Sequence, residues 1–124
     1  VEIFHAALEK KRYTSFLHAD TRLPMMYMPD AIRATIELME APAAKIGVRT
    51  SYNVAGMSFS PAEIAAEINK HIPGFEMAYA PDYRQQIADS WPQSIDDSSA
   101  RDHWGWKPEY NLSAMTTDMF LNLQ

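Results

Sequence analysis

SYNVAGMSFSPAEIAAEINKHIPGFEMAYA, residues 51–80, predicts a strand, a capped helix and a second strand in succession. Ser60 can accept a hydrogen bond from the first helical turn, and Glu63 can bond back to the backbone N–H of Ser60. Pro61 suits the first helical position, and Pro73-Gly74 ends the helix. The apolar stripe of this helix is Ile64, Ile68 and Ile72.

The residues on either side of this helix predict strands. Residues 51–56, SYNVAG, are bounded by a glycine, and residues 75–80, FEMAYA, alternate between apolar and other side chains. Strand, helix and strand in this order are typical of the α/β class. We therefore predict an α/β fold for the chain.

The N-terminal half continues the alternation. Helical spacing of apolar residues begins at Val1, so the sequence starts inside a helix, which we expect to end near Arg12. Short strands follow at 13–17 and 25–28, and a helix then begins at Pro29 or Asp30 and stops at Pro42. One face of this helix carries Ile32, Thr35, Ile36 and Met39, and the other carries Arg33, Glu37 and Glu40.

Three further helices are predicted towards the C-terminus. The first covers 83–90, and the second is a short helix capped by Asp96 or Asp97 and ended by Gly105. Asn111 caps the third. Its buried stripe is Leu112, Met115, Met119 and Leu123.

The composition excludes several classes of function. The 124 residues suit one domain, and the net charge of −5 with no Lys/Arg cluster argues against a nucleic-acid partner. The absence of cysteine excludes disulfides, thiolate metal sites and thiol nucleophiles. No apolar run approaches the roughly 20 residues of a membrane span, so we expect no membrane partner.

No complete catalytic set is present. The four histidines have no metal-ligand spacing, no Gly-x-Ser-x-Gly turn occurs, and no tyrosine has a lysine four residues later. The four glycines are isolated, so the Gly-rich turn that holds a dinucleotide is missing. We therefore predict no catalytic, cofactor-binding or metal-binding residue here, and no activity for the chain alone.

Two residues could nevertheless serve a small-molecule site. Trp91 lies in a polar loop before Pro92, where an indole can form the wall of a pocket or pack into the core. Arg22 lies in a loop that leads to a strand, where it can bind an anionic group or pair with Asp20. Trp104 and Trp106 flank Gly105, which favours a packing role for both.

Three stretches resemble the extended short-chain dehydrogenases/reductases, the NAD-dependent epimerase/dehydratase family. They are DTRLPMMYMPDAIRATIELMEAP (20–42), SYNVAGMSFSPAEIAAEI (51–68) and IADSWPQSIDDSSARDHWGWKPEYNL (87–112). The resemblance covers essentially the whole chain. RLPMMY (22–27) and IADSWP (87–92) are its most specific pieces, and they resemble the members that oxidise L-threonine with NAD.

The resemblance implies that residues 1–124 are the C-terminal substrate-binding lobe of a longer enzyme, a homodimer. An N-terminal Rossmann lobe would hold NAD and the catalytic Ser/Thr, Tyr and Lys, and L-threonine would become 2-amino-3-oxobutyrate. By the same resemblance, Trp91 would form the wall of the threonine site, with Arg22 and Tyr27 as supporting residues. The enzyme would be cytoplasmic in a bacterium and mitochondrial in an animal.

Two other interpretations stay open. The chain could be the C-terminal lobe of a nucleotide-sugar epimerase or dehydratase, in which an arginine at the position of Arg22 would meet phosphates. It could also be a stand-alone, non-catalytic binding module. Only the lobe interpretations predict exposed apolar surface, on the first helix and the strands, for a missing Rossmann half.

Overall fold

The computed structural model describes residues 1–124 and alternates helices with short strands. In chain order the elements are α1 Glu2–Lys10, β1 Arg12–Ser15, β2 Leu23–Met25, α2 Met28–Glu40, a 3₁₀ turn Ala43–Lys45, β3 Met57–Phe59, α3 Pro61–His71, β4 Glu76–Tyr79, α4 Arg84–Asp89, α5 Ser98–Trp104 and α6 Leu112–Leu123. The prediction of an α/β fold is confirmed. No helix combines the length and the apolar character that crossing a bilayer requires.

The strands form two separate two-stranded sheets. β1 runs parallel to β4, with Arg12 opposite Glu76, and β2 runs antiparallel to β3, with Leu23 opposite Phe59. Two-stranded sheets are marginally stable by themselves. Their stability therefore depends on the helices that pack on them.

The sequence signals around α3 are confirmed. Ser60 Oγ accepts from the N–H of Glu63 at 3.3 Å, and Glu63 Oε2 accepts from the N–H of Ser60 at 2.8 Å. Ile64 and Ile68 are buried in the larger core, which α3 forms with α1 and α6. Phe4 of α1 meets Phe120 of α6 edge to face, with ring centroids 5.3 Å apart.

A second, smaller core joins α2 to α5 and consists of Ala34, Ala100 and Trp106. It is fixed by Asp30, which is buried on α2. The carboxylate of Asp30 accepts from the backbone N–H groups of Glu109 and Tyr110, at 3.0 to 3.1 Å, and from Arg33 at 2.9 Å. Asp30 therefore attaches α2 to the segment that leads into α6.

The predicted strand at 51–56 is wrong, because this segment has no paired neighbour and the strand lies at 57–59. Side chains satisfy its backbone instead. The indole N–H of Trp106 donates to the carbonyl of Ala55 at 2.9 Å, and the N–H of Ala55 donates to Asp97 Oδ2 at 3.2 Å. A strand needs a hydrogen-bonded partner along its length, and this chain supplies none here.

The apolar face of α2 is exposed. Ile32 is 54% exposed and Met39 is 80% exposed, whereas Asp30 and Ala34 on the opposite side are buried. The expectation of exposed apolar surface on the first helix and the strands is met only in part, since α1 buries Phe4 and Ala7 but Val1, Met25 of β2 and Tyr79 of β4 are exposed. The uncovered apolar stripe, which we call the α2 stripe, consists of Met28, Ile32, Ile36 and Met39.

Other predicted boundaries shift slightly. The strand predicted at 25–28 lies at 23–25, because Met28 already belongs to α2. Asp97 occupies the cap position of α5 without a side-chain cap bond, because its carboxylate binds Ala55 and Arg101. Gly105 ends α5 as predicted, in the left-handed conformation at φ 75°. Asn111 caps α6, accepting from the N–H of Ala114 at 2.8 Å.

Candidate functional site

A polar pocket of about 270 Å³ lies between the loop before β2 and the end of α4. It brings together Arg22 and Trp91, two of the three residues that the sequence singled out. Tyr27 does not line it. The complete lining is His18, Asp20, Thr21, Arg22, Gln85, Ala88, Asp89, Trp91 and Gln93. We call this cavity the Arg22–Trp91 pocket.

Trp91 lies two residues after the end of α4 and is held at the pocket by a tight turn. Its backbone N–H donates to the carbonyl of Ala88 at 3.1 Å, and Pro92 prevents the helix from continuing. Trp91 is 58% exposed, so the alternative that it packs into the core is wrong. An exposed indole beside a polar cavity offers an apolar surface with a single N–H donor.

Arg22 is anchored by two acceptors that do not belong to the pocket lining. Nη1 donates to the carbonyl of Ser58 at 2.6 Å, and Nη2 donates to Glu63 at 2.5 Å, so the ion pair is with Glu63 and not with Asp20. Bonds from the Ser60 backbone and from Arg22 lower the pKa of Glu63. A guanidinium has five N–H donors, and these contacts use two. Donors of Arg22 therefore remain for a ligand in the pocket.

Gln85 holds the two sides of the pocket together, and the sequence analysis missed it. Its side-chain carbonyl accepts from the backbone N–H of His18 at 2.8 Å. Its amide group donates to Thr21 Oγ1 at 3.0 Å and to Asp89 Oδ1 at 2.6 Å. The four-residue spacing of Gln85 and Asp89 on a helix could have indicated their pairing. The bonds to residues 18 and 21 depend on tertiary structure.

The pocket combines both signs of charge. Arg22 supplies a cation, and Asp20 and Asp89 supply carboxylates. One carboxylate oxygen of Asp89 accepts the bond from Gln85, and the other has no protein partner. Such a cavity can bind a small molecule that carries an anionic and a cationic group.

Tyr27 lies in a different part of the structure. Its hydroxyl donates to Asp118 Oδ2 at 2.8 Å, and its ring meets Tyr110 edge to face at 4.9 Å. Burial and the bond to Asp118 raise the pKa of Tyr27 to about 12. The phenol is therefore neutral and engaged at physiological pH. A supporting role for Tyr27 in substrate binding stays a prediction.

The residues of this chain do not fit a dinucleotide. β3 leads directly into α3, where a nucleotide loop would need glycines, but the turn reads Ser-Pro-Ala-Glu. The capping box already satisfies the first N–H groups of α3, and the Glu63 carboxylate would repel a phosphate there. No group of three His, Cys, Asp or Glu side chains is placed to hold a metal ion.

No protein-family model matches the chain. Individual proteins match it closely. The chain is 51% identical to the mitochondrial L-threonine 3-dehydrogenase of Bos taurus over 96% of its own length, and 53% identical over 94% to an uncharacterized epimerase/dehydratase of Staphylococcus haemolyticus. It spans 32% and 37% of those relatives, about a third of each.

Solved structures also match nearly all of the chain over less than half of their own length. An apo L-threonine dehydrogenase from Cupriavidus necator matches all of the chain with a TM-score of 0.96 and 64% identity, over 45% of that protein. An L-threonine dehydrogenase from Phytophthora infestans matches 99% of the chain with a TM-score of 0.95 and 50% identity, over 40% of that protein. A heptose-6-epimerase from Helicobacter pylori matches with a TM-score of 0.74 and 20% identity, which shows a shared fold alone.

Proposed function

The chain corresponds to a C-terminal part of an extended short-chain dehydrogenase/reductase, and from this premise we propose that it is the substrate-binding portion of an NAD-dependent L-threonine 3-dehydrogenase. The reaction is L-threonine + NAD⁺ → 2-amino-3-oxobutyrate + NADH + H⁺. One observation carries the proposal: proteins named L-threonine dehydrogenase are up to 64% identical over nearly all of the chain. The longer enzyme would supply the NAD site and the proton-transfer groups, so the chain alone is inactive.

The α2 stripe supports a longer enzyme. Four large apolar side chains lie exposed along one face of a 13-residue helix. Apolar helix faces in soluble proteins are normally covered by other elements. The relatives have more than half of their length outside the match, and this additional polypeptide would cover the stripe.

In this proposal the Arg22–Trp91 pocket contributes substrate binding. The Trp91 indole forms an apolar wall beside the methyl group of threonine and excludes water. Arg22 presents donors to an anionic group of the substrate. Neither residue moves a proton, so their contribution is orientation.

The charges of the pocket favour an amino acid over a nucleotide sugar. A nucleotide diphosphate would place two or more negative charges beside one arginine and two aspartates. Uncompensated like charges are costly to bring together. We therefore prefer threonine to the nucleotide-sugar alternative.

The proposal also includes two properties of the longer enzyme. It would form a homodimer, and in a bacterium it would be cytoplasmic.

The test is to express the full-length protein that contains this chain and to measure threonine-dependent NADH formation. We expect Trp91→Ala to lower kcat/KM for threonine at least about tenfold, because the substrate loses an apolar wall of the site. The affinity for NAD should not change. Tyr83→Ala is the matched control, since Tyr83 is an exposed aromatic residue beside α4 that does not line the pocket.

Two outcomes would contradict the proposal in different ways. A wild-type protein that leaves threonine untouched but epimerises a nucleotide sugar would replace the function. Unchanged threonine kinetics in Trp91→Ala would retain the function and remove Trp91 from the site.

A further inference from the structure

We propose that the Arg22–Trp91 pocket recognises the zwitterion of an α-amino acid, with Arg22 binding the carboxylate and Asp89 binding the ammonium group. The inference rests on the proposed function and specifies how that site selects its substrate. Asp89 becomes a specificity-determining residue, and Gln85 becomes the residue that positions it.

The arrangement of Asp89 carries this assignment. Gln85 is 9% exposed, and its amide orientation is fixed because the backbone N–H of His18 can only donate. The side-chain carbonyl of Gln85 must face His18, so its amide nitrogen must face Asp89 Oδ1. Asp89 is an exposed residue at the pocket that accepts one bond from Gln85, and its second oxygen has no protein partner.

Arg22 is held in a complementary way. Ser58 and Glu63 each accept one of its N–H groups, which fixes the plane of the guanidinium. Donors that these bonds do not use can form charge-assisted bonds to a carboxylate. Cation and anion thus lie on the wall of one cavity, each restrained by a partner of its own.

The size of the cavity agrees with this ligand class. Pockets for drug-sized ligands begin at about 300 Å³, and the Arg22–Trp91 pocket has about 270 Å³. A free amino acid with a short side chain fits such a space. A diphosphate would face the two carboxylates, and a neutral sugar would offer no opposite charge to Arg22 or Asp89.

The experiment is isothermal titration calorimetry on the full-length protein with three unreactive probes. L-2-Aminobutyrate carries both charged groups, butyrate lacks the ammonium group, and 2-aminobutanamide lacks the carboxylate. Wild-type protein should bind the first roughly 10-fold or more tightly than either of the others. Because none of the probes has a β-hydroxyl group, binding is measured whether or not the protein oxidises threonine.

Two variants separate the roles of the charged residues. Asp89→Asn should weaken the binding of aminobutyrate and aminobutanamide roughly 10-fold and leave butyrate unchanged. Arg22→Gln should weaken aminobutyrate and butyrate and leave aminobutanamide unchanged. Asp102→Asn, an exposed aspartate outside the pocket, is the control and should change nothing.

The outcomes distinguish this inference from the proposed function. If threonine is oxidised but Asp89→Asn binds all three probes like wild type, the inference is wrong and the function stands. If Asp20→Asn and not Asp89→Asn shows the selective loss, the assignment of Asp89 is also overturned. If the zwitterion pattern appears without threonine oxidation, the inference stands and the proposed reaction fails.

Discussion

Replacing Asp30 by asparagine tests what holds α2 in the structure. The Asp30 side chain is 1% exposed, and its carboxylate accepts from two backbone N–H groups and from Arg33. Asparagine has the same shape, but it removes the charge and turns one acceptor into a donor. Its amide would face an N–H group of residues 109–110 or the Arg33 guanidinium, and one of these bonds would be lost.

The magnitude follows from these contacts. A hydrogen bond to a charged group contributes about 1.5–3 kcal/mol, and leaving a buried charge without its partner costs about 3–5 kcal/mol. Arg33 is partly exposed and keeps Glu37 as a second partner, which places the loss at the lower end, about 3 kcal/mol. For a domain with about 5–15 kcal/mol of stability, this is a large fraction.

The assay is urea unfolding followed by tryptophan fluorescence, with Asp102→Asn as the control because Asp102 is exposed and its side chain makes no hydrogen bond. With an m-value of about 1–3 kcal/mol/M, the midpoint should fall by at least about 1 M. A loss below about 1 kcal/mol would refute the reasoning, since it would mean that the Asp30 bonds contribute no more than a surface pair.

The same residue predicts a pH dependence. Burial alone would raise the pKa of Asp30, but the bonds from Tyr110, Arg33 and Glu109 outweigh it and hold the pKa below its ordinary value. A group whose pKa is lowered on folding contributes stability above its unfolded pKa, about 3.9, and loses it as the pH falls through the folded value. Asp30→Asn should therefore flatten the decline in stability below about pH 4, as measured by urea midpoints at several pH values.

Two further predictions concern α3 and the α2 stripe. Ser60→Ala should lower the free energy of unfolding by about 1 kcal/mol because it removes half of the capping box. Ser99→Ala, at an exposed position, is the control and should have little effect. Equal losses of stability in the two variants would contradict the capping role. Ile32→Glu with Met39→Glu should reduce self-association of the 124-residue chain in size-exclusion chromatography, yet destabilise the full-length protein. If the double substitution affects the 124-residue chain and the full-length protein in the same way, nothing covers the α2 stripe in the full-length protein.

The sequence by itself determined the local structure where one short segment contains its own signal. Ser60 and Glu63 lie three residues apart and satisfy each other, so the start of α3 could be predicted. Gly105 ends α5 because glycine adopts positive φ without strain. Trp91 could be proposed for a pocket because a large aromatic residue in a polar, Pro-containing loop has few local reasons to be there.

Only the tertiary structure decided which partners distant segments find. Residues 51–56 have the composition of a strand, but pairing depends on a neighbouring strand that this chain does not contain. The buried face of α2 is set by the donors that Asp30 meets at 109–110, and periodicity cannot reveal them. The link from Gln85 to His18 likewise spans 67 positions. Local signals fix local geometry, whereas burial and charge pairing at the pocket depend on contacts between residues far apart in the chain.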